Sequence, residues 1–150
     1  MDAMRGVFWG FDIAASGLDA EMRRSEIVAS NIANMHVTGG PGRDPYRRRT
    51  LSFEEVLGDL PGEAPRIGSR DAPSGVRVAK VVEDHSTAFK PRYEPGHPDA
   101  DDAGFVLGSN VDLFKEMVDM MVVQRSFQAN LASLRAYRSM VQSSITNIGR

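Results

Sequence analysis

The densest group of side chains able to bind a metal ion or move a proton is Pro95-Gly96-His97-Pro98-Asp99-Ala100-Asp101-Asp102-Ala103-Gly104. A calcium loop needs oxygen ligands at alternate positions, glycine at the sixth and a bidentate glutamate at the twelfth. Counted from Asp99, the sixth residue is Gly104, but the fifth is Ala103 and the twelfth is Asn110. The strongest ligand is therefore missing. Zinc would need more imidazole than His97 supplies. The run reads instead as a rigid, solvated turn, in which Pro95 and Pro98 fix φ and the aspartates bond to local backbone.

Other chemistry fares no better. His36 and His85 are isolated and read as surface or core histidines. Ser16, Ser74 and Ser86 lack the setting of a nucleophile elbow. Gly39 to Gly42 is glycine-rich, but it contains Pro41 and no Lys-Ser/Thr follows, so it is not a phosphate loop. No general acid and base can be paired. The expectation is a chain with no catalytic residue, no metal or cofactor site and no small-molecule substrate.

The elements that would carry these residues are more informative. From Asn110 to Ile148 the positions Leu113, Met117, Met120, Gln124, Phe127, Leu131, Leu134, Arg138, Val141, Ile145 and Ile148 alternate steps of four and three. All but Gln124 and Arg138 are apolar. This is the seam of a coiled coil, whose core positions recur about every 3.5 residues. The two polar exceptions either set register and partner choice or face solvent. Met117, Met120 and Met121 form a methionine-rich patch suited to an adaptable contact. Asn110 or Asp112 is expected to cap the helix start. A helix of about 39 residues is roughly 58 Å long, more than a compact domain of this size spans. It is therefore expected to need a partner outside its own fold.

A second helix is expected from about Asp12 to Asn34. Phe11, Ala15, Leu18, Met22, Ser25, Ala29 and Ile32 repeat the same alternation. Gly17 costs this helix about 1 kcal/mol relative to alanine, so something should pack there. Asn34 is a candidate left-handed cap. Between the helices, Tyr46–Phe53 and Gly75–Val82 read as strands and Phe105–Leu107 as a short return strand. Pro91 to Pro98 should be extended or turned, and Gly58 to Gly75 a loop.

The expected fold is mainly α with a small β-rich insert, the N- and C-terminal helices pairing as an elongated coiled coil. Its parts are residues 1–36 (N-terminal helix), 37–109 (insert and loops) and 110–150 (C-terminal helix). The expected subunit-interface positions are Phe11, Leu18, Met22, Ile32, Leu113, Met117, Met120, Phe127, Leu131, Leu134, Val141 and Ile145.

Composition sets the limits. The net charge of -2 gives no bulk attraction to nucleic acid, and Arg47, Arg48 and Arg49 are followed by Glu54, Glu55 and Asp59. Cysteine is absent, which excludes disulfides, thiolate zinc ligands and thiol catalysis. No apolar run approaches the ~18 residues of a membrane span. Met1 to Gly10 is not the apolar segment of a cleaved signal peptide, so export, if it occurs, is expected by another route.

Several motifs carry a resemblance. Ala15-Ser16-Gly17-Leu18, Ala20 and Ala29-Ser30-Asn31-Ile32-Ala33-Asn34 resemble the N-terminal signature of bacterial flagellar rod and hook axial proteins. The middle is more specific: Pro45-Tyr46-Arg47-Arg48, Val76 to Asp84, Tyr93 to Asp101, Gly104-Phe105-Val106, Asn110-Val111 and Glu116 to Met121 resemble the proximal-rod members of that family. Departures are local, at His85-Ser86-Thr87 and Phe105, and the Gly58–Gly75 loop has no counterpart in the family pattern. The resemblance implies a non-enzymatic subunit of the flagellar drive shaft, located in the basal-body rod that spans the periplasm. It also implies export by the flagellar type III apparatus without signal cleavage. The implied partners are copies of itself, other rod subunits, and basal-body ring and adaptor components. The alternatives are another axial subunit or a soluble helical adaptor.

Overall fold

The computed structural model describes the backbone of residues 2–40, 42–57 and 74–148 and the side chains of 11–40, 42–56 and 75–147. The chain order is α1 (Asp2–Ala33), β1 (Thr38–Gly39), β2 (Arg49–Leu57), β3 (Ser74–Glu83), β4 (Lys90–Tyr93), β5 (Phe105–Gly108) and α2 (Leu113–Ile148). Two long helices and small antiparallel sheets, with roughly half of the chain helical, follow the sequence expectation in outline. Most of the expected Gly58–Gly75 loop lies outside the described residues.

The main differences are at element ends. Helix α1 starts ten residues before the expected Asp12, at Asp2. Gly6 and Gly10 weaken a helix by about 1 kcal/mol each but do not break it as proline would. Its C-terminus is not closed by a left-handed Asn34, because no described non-glycine residue has positive φ. The Asn34 side-chain amide instead donates to the Ser30 carbonyl at 2.8 Å, and so does its backbone N–H at 3.1 Å. Strand β2 starts at Arg49 rather than Tyr46. The Arg48 N–H donates to Asn110 Oδ1 and the Arg49 N–H to Asn31 Oδ1, so side-chain amides take the backbone donors where a ladder would begin.

At α2 the two possible caps separate. Asp112 Oδ1 accepts the N–H groups of Phe114 (3.0 Å) and Lys115 (3.3 Å), the N-cap arrangement. Those bonds and Lys90 hold the Asp112 carboxyl below its ordinary range, with the Lys115 N–H the largest influence.

The chain forms two compact units. The first comprises Met1–Arg23, Phe53–Ala79 and Val123–Arg150, and the second Arg24–Ser52 and Lys80–Val122. Among the described residues of the first unit the buried apolar ones are Ala14, Ala20 and Val123. Phe11 lies against Tyr137 with ring centroids 6.2 Å apart. A Cβ at Gly17 would stand 2.8 Å from Asn130 Nδ2, which explains the glycine. Arg77 pairs with Glu54 between β3 and β2.

In the second unit β5 is the middle strand of a sheet ordered β1-β5-β4. The antiparallel register sets Tyr93 against Phe105 and Lys90 against Gly108. The Pro95–Gly104 turn joins β4 to β5. Asp101 Oδ1 accepts the Ala103 and Phe105 N–H groups. Gly104 has φ 79°, and its missing Cβ leaves room for Tyr93 and Pro95. The turn is thus held by local backbone bonds to aspartate, as its sequence suggests.

Candidate assembly surface

The first three turns of α2, within the second unit, have a charged inner side and an apolar outer side. Glu116 is fully buried. Its Oε1 accepts Arg48 Nε at 2.5 Å, and its Oε2 accepts Asn31 Nδ2 at 3.0 Å. Arg48 Nη2 also donates to Asp119 Oδ2 at 2.7 Å, and Arg24 stands 3.7 Å from Asp119 Oδ1. Two cations and two anions thus balance in one cluster.

Amides complete the cluster. Asn31, also fully buried, uses its whole side chain. Oδ1 accepts from the Tyr46 hydroxyl (3.0 Å) and the Arg49 N–H (2.9 Å), while Nδ2 donates to the Arg49 carbonyl (2.9 Å) and to Glu116. Asn110 accepts the Arg48 N–H at 2.7 Å and donates to the Asp84 and Thr87 carbonyls. Asp84 is fastened in turn. The Ser86 and Thr87 hydroxyls and N–H groups hold its carboxyl well below the ordinary aspartate range. A buried polar group costs least when it is satisfied in this way. The network ties α1, the strand entrance at Arg48, the Asp84 turn and α2 together.

The outer side is the opposite. Phe114 is 80% exposed and Val118 58%. Leu113, Met117, Met121 and Val122 are also exposed. The spacing 113/114, 117/118, 121/122 is one helical face. Further along α2, in the first unit, Phe127, Met140 and Ile145 are exposed. On α1, Met22 and Ile13 are exposed.

The expected interface residues fall at the edge of the inner side or on the outer side. Phe11, Leu18, Ile32, Met120, Leu131, Leu134 and Val141 are half-buried; Met22, Leu113, Met117, Phe127 and Ile145 are exposed. Gln124 and Arg138 are exposed too. The stripes packed inward lie one step round each helix, through Ala14, Gly17, Ala20, Val28 and Asn31 on α1 and through Glu116, Val123 and Asn130 on α2. Phe114, Val118, Met121 and Val122 widen the outer face beyond the predicted seam.

Among the described residues no group of three or more His, Cys, Asp or Glu is placed to hold a metal. Asp99 Oδ2 accepts the Thr38 hydroxyl at 2.6 Å, and the Asp99 N–H donates to His97 Nδ1. Among those residues no helix is long and apolar enough to cross a membrane.

Comparison with known proteins settles the family. Residues 11–40 match the family described as flagella basal body rod protein, and residues 102–148 match the flagellar basal body rod FlgEFG protein C-terminal family. The flagellar basal-body rod protein FlgC of Salmonella typhimurium is 40% identical over 136 residues, covering 91% of this chain and 93% of that protein. The chain belongs to the FlgC family. FlgC of Bacillus subtilis is 35% identical over 149 residues (92% and 95% covered), and FlgC of Borreliella burgdorferi is 33% identical over 147 residues (93% and 96%). As an FlgC-family member the chain is a structural subunit of the flagellar basal-body rod and not an enzyme. Asn31, Arg48, Asn110 and Glu116, which lie in the family-like motifs, form the buried network.

Proposed function

We propose that the chain is a proximal-rod subunit that polymerises through the outward apolar faces of its terminal helices and transmits torque along the shaft. The observation that carries this reading is the inversion of α2 in the second unit, where Glu116 is fully buried while Phe114 is 80% exposed. A lone soluble subunit gains nothing from that arrangement. Covering the apolar face would contribute about 25 cal/mol per Å² removed from water.

Contacts between different patches on successive copies do not close, so they build a helical polymer. In this reading Phe11, Leu18, Met22, Ile32, Leu113, Met117, Met120, Phe127, Leu131, Leu134, Val141 and Ile145 contribute to contacts between subunits, and the paired terminal helices act as an elongated coiled coil. The neighbours are copies of the chain, other rod subunits, and ring and adaptor components. The subunit reaches its place across the periplasm through the flagellar type III apparatus, with its N-terminal helix retained.

Phe114→Asp and Val118→Asp test the reading. Both should leave secretion of the subunit intact and abolish its recovery in purified basal bodies, with loss of swimming. Normal incorporation of both variants would reject it. A closed, stable oligomer of the purified chain at low concentration would favour a soluble adaptor instead.

A further inference from the structure

We propose that Met117 and Met121 form an oxidation-sensitive site on the outer face of α2, and that their conversion to sulfoxides withdraws the free subunit from assembly. The consequence for assembly rests on the reading of that face given above; the selectivity of the oxidation does not.

Three neighbouring thioethers meet different surroundings. Met117 is 46% exposed and Met121 52%, one turn apart among Phe114, Val118 and Val122. Met120 is half-buried, and its Sδ accepts the Ser25 hydroxyl at 3.7 Å. Met117 and Met121 are therefore the more open side chains to an incoming oxidant, while the Met120 sulfur is engaged. The chain has no cysteine, so no thiol of its own competes for the oxidant.

The reagent class is a hydroperoxide. The thioether lone pair attacks one peroxide oxygen, the O–O bond breaks and an S–O bond forms. The proton on the transferred oxygen passes to the departing one, which leaves as water when the reagent is hydrogen peroxide. Sulfur is oxidised by two electrons and the peroxide reduced by two. The product is a polar sulfoxide in place of an apolar side chain, reversible by methionine sulfoxide reductases. A face that assembles by excluding water is then broken by two strong hydrogen-bond acceptors. Once a neighbouring subunit covers the face, the same sulfurs are shielded, so only the unassembled chain is sensitive.

The test treats the purified full chain with hydrogen peroxide, maps each methionine by peptide mass spectrometry and measures association by sedimentation velocity over a range of concentrations. Met117 and Met121 should gain oxygen several-fold faster than Met120. Untreated chain should associate as concentration rises, and the oxidised chain should stay monomeric. Met22 and Met140 are exposed too, so the comparison is made in a Met22→Leu/Met140→Leu background, where adding Met117→Leu/Met121→Leu assigns the effect: this variant should associate with or without peroxide. Oxidation of Met120 at an equal rate would overturn the selectivity. Unchanged association of chain carrying both sulfoxides, or peroxide sensitivity persisting in that variant, would overturn the consequence. If neither untreated chain nor variant associates at any concentration, the assembly reading of this face fails and takes the consequence with it, while the mapping still decides the selectivity.

Discussion

The inner and outer sides of the first turns of α2 contain residues of opposite kinds, each where an isolated globular protein would place the other. Inside, Glu116, Asp119, Arg48 and Asn31 are bonded group to group. Outside, Phe114, Met117, Val118, Met121 and Val122 meet water. The inner network depends on geometry and fixes how the strand entrance at Arg48 and the Asp84 turn join the helices. In the proposed assembly the outer face depends on buried area alone. On that reading folding and assembly fall on different sides of one helix, and each can be broken without the other.

The largest stability effect is expected from Glu116→Ala or Arg48→Ala. Removing one partner of a buried ion pair costs about 3–5 kcal/mol, enough to unfold the second unit in a marginal protein. Urea denaturation of the purified chain checks this. Asn31→Ala should follow: it leaves the Arg49 N–H and the Glu116 carboxylate short of partners, at about 1–3 kcal/mol per unsatisfied group. Outer-face changes should differ in kind. Val118→Asp should alter denaturation by no more than about 0.5 kcal/mol while eliminating incorporation into the rod. A large stability loss from Val118→Asp would erase the distinction between the two sides.

Acid should act through the carboxylates that fasten the Asp84 turn and cap α2. Asp84 and Asp112 both have lowered carboxyl pKa values relative to the ordinary 3.8. In that window the unfolded chain binds more protons. Their contribution is therefore present above the ordinary value and is lost as pH falls below it. Melting temperatures should drop on acidification through that range, and Asp84→Asn should flatten the drop. The smallest effect is expected at Gly17. Gly17→Ala gains up to about 1 kcal/mol of helix propensity but places a Cβ against Asn130. The net change should be near zero, turning stabilising when Asn130→Ala removes the obstruction.

The helices were legible because apolar periodicity survives in α1 and α2 whatever covers it. The strands showed in the β-branched run of β3, and the Pro95–Gly104 turn in its prolines and aspartates. Which side of each helix packs inward was not legible from hydrophobicity. The inward stripe at Asn31 and Glu116 is polar, so an apolar pattern falls one step round the helix from it. The start of β2 was missed because the donors of Arg48 and Arg49 go to Asn110 and Asn31, distant in sequence. The hint lay in polar residues within the family-like motifs, whose partners only the fold reveals.

The absence of cysteine allows the most direct test of the central claim, that the outer face of α2 is open in the free subunit and covered in the rod. Val118→Cys would be treated with a maleimide, once as purified chain and once within isolated basal bodies. Rapid labelling of the free chain and strong protection in the basal body is the predicted result. Equal labelling in both, in a variant that swims normally, would contradict it.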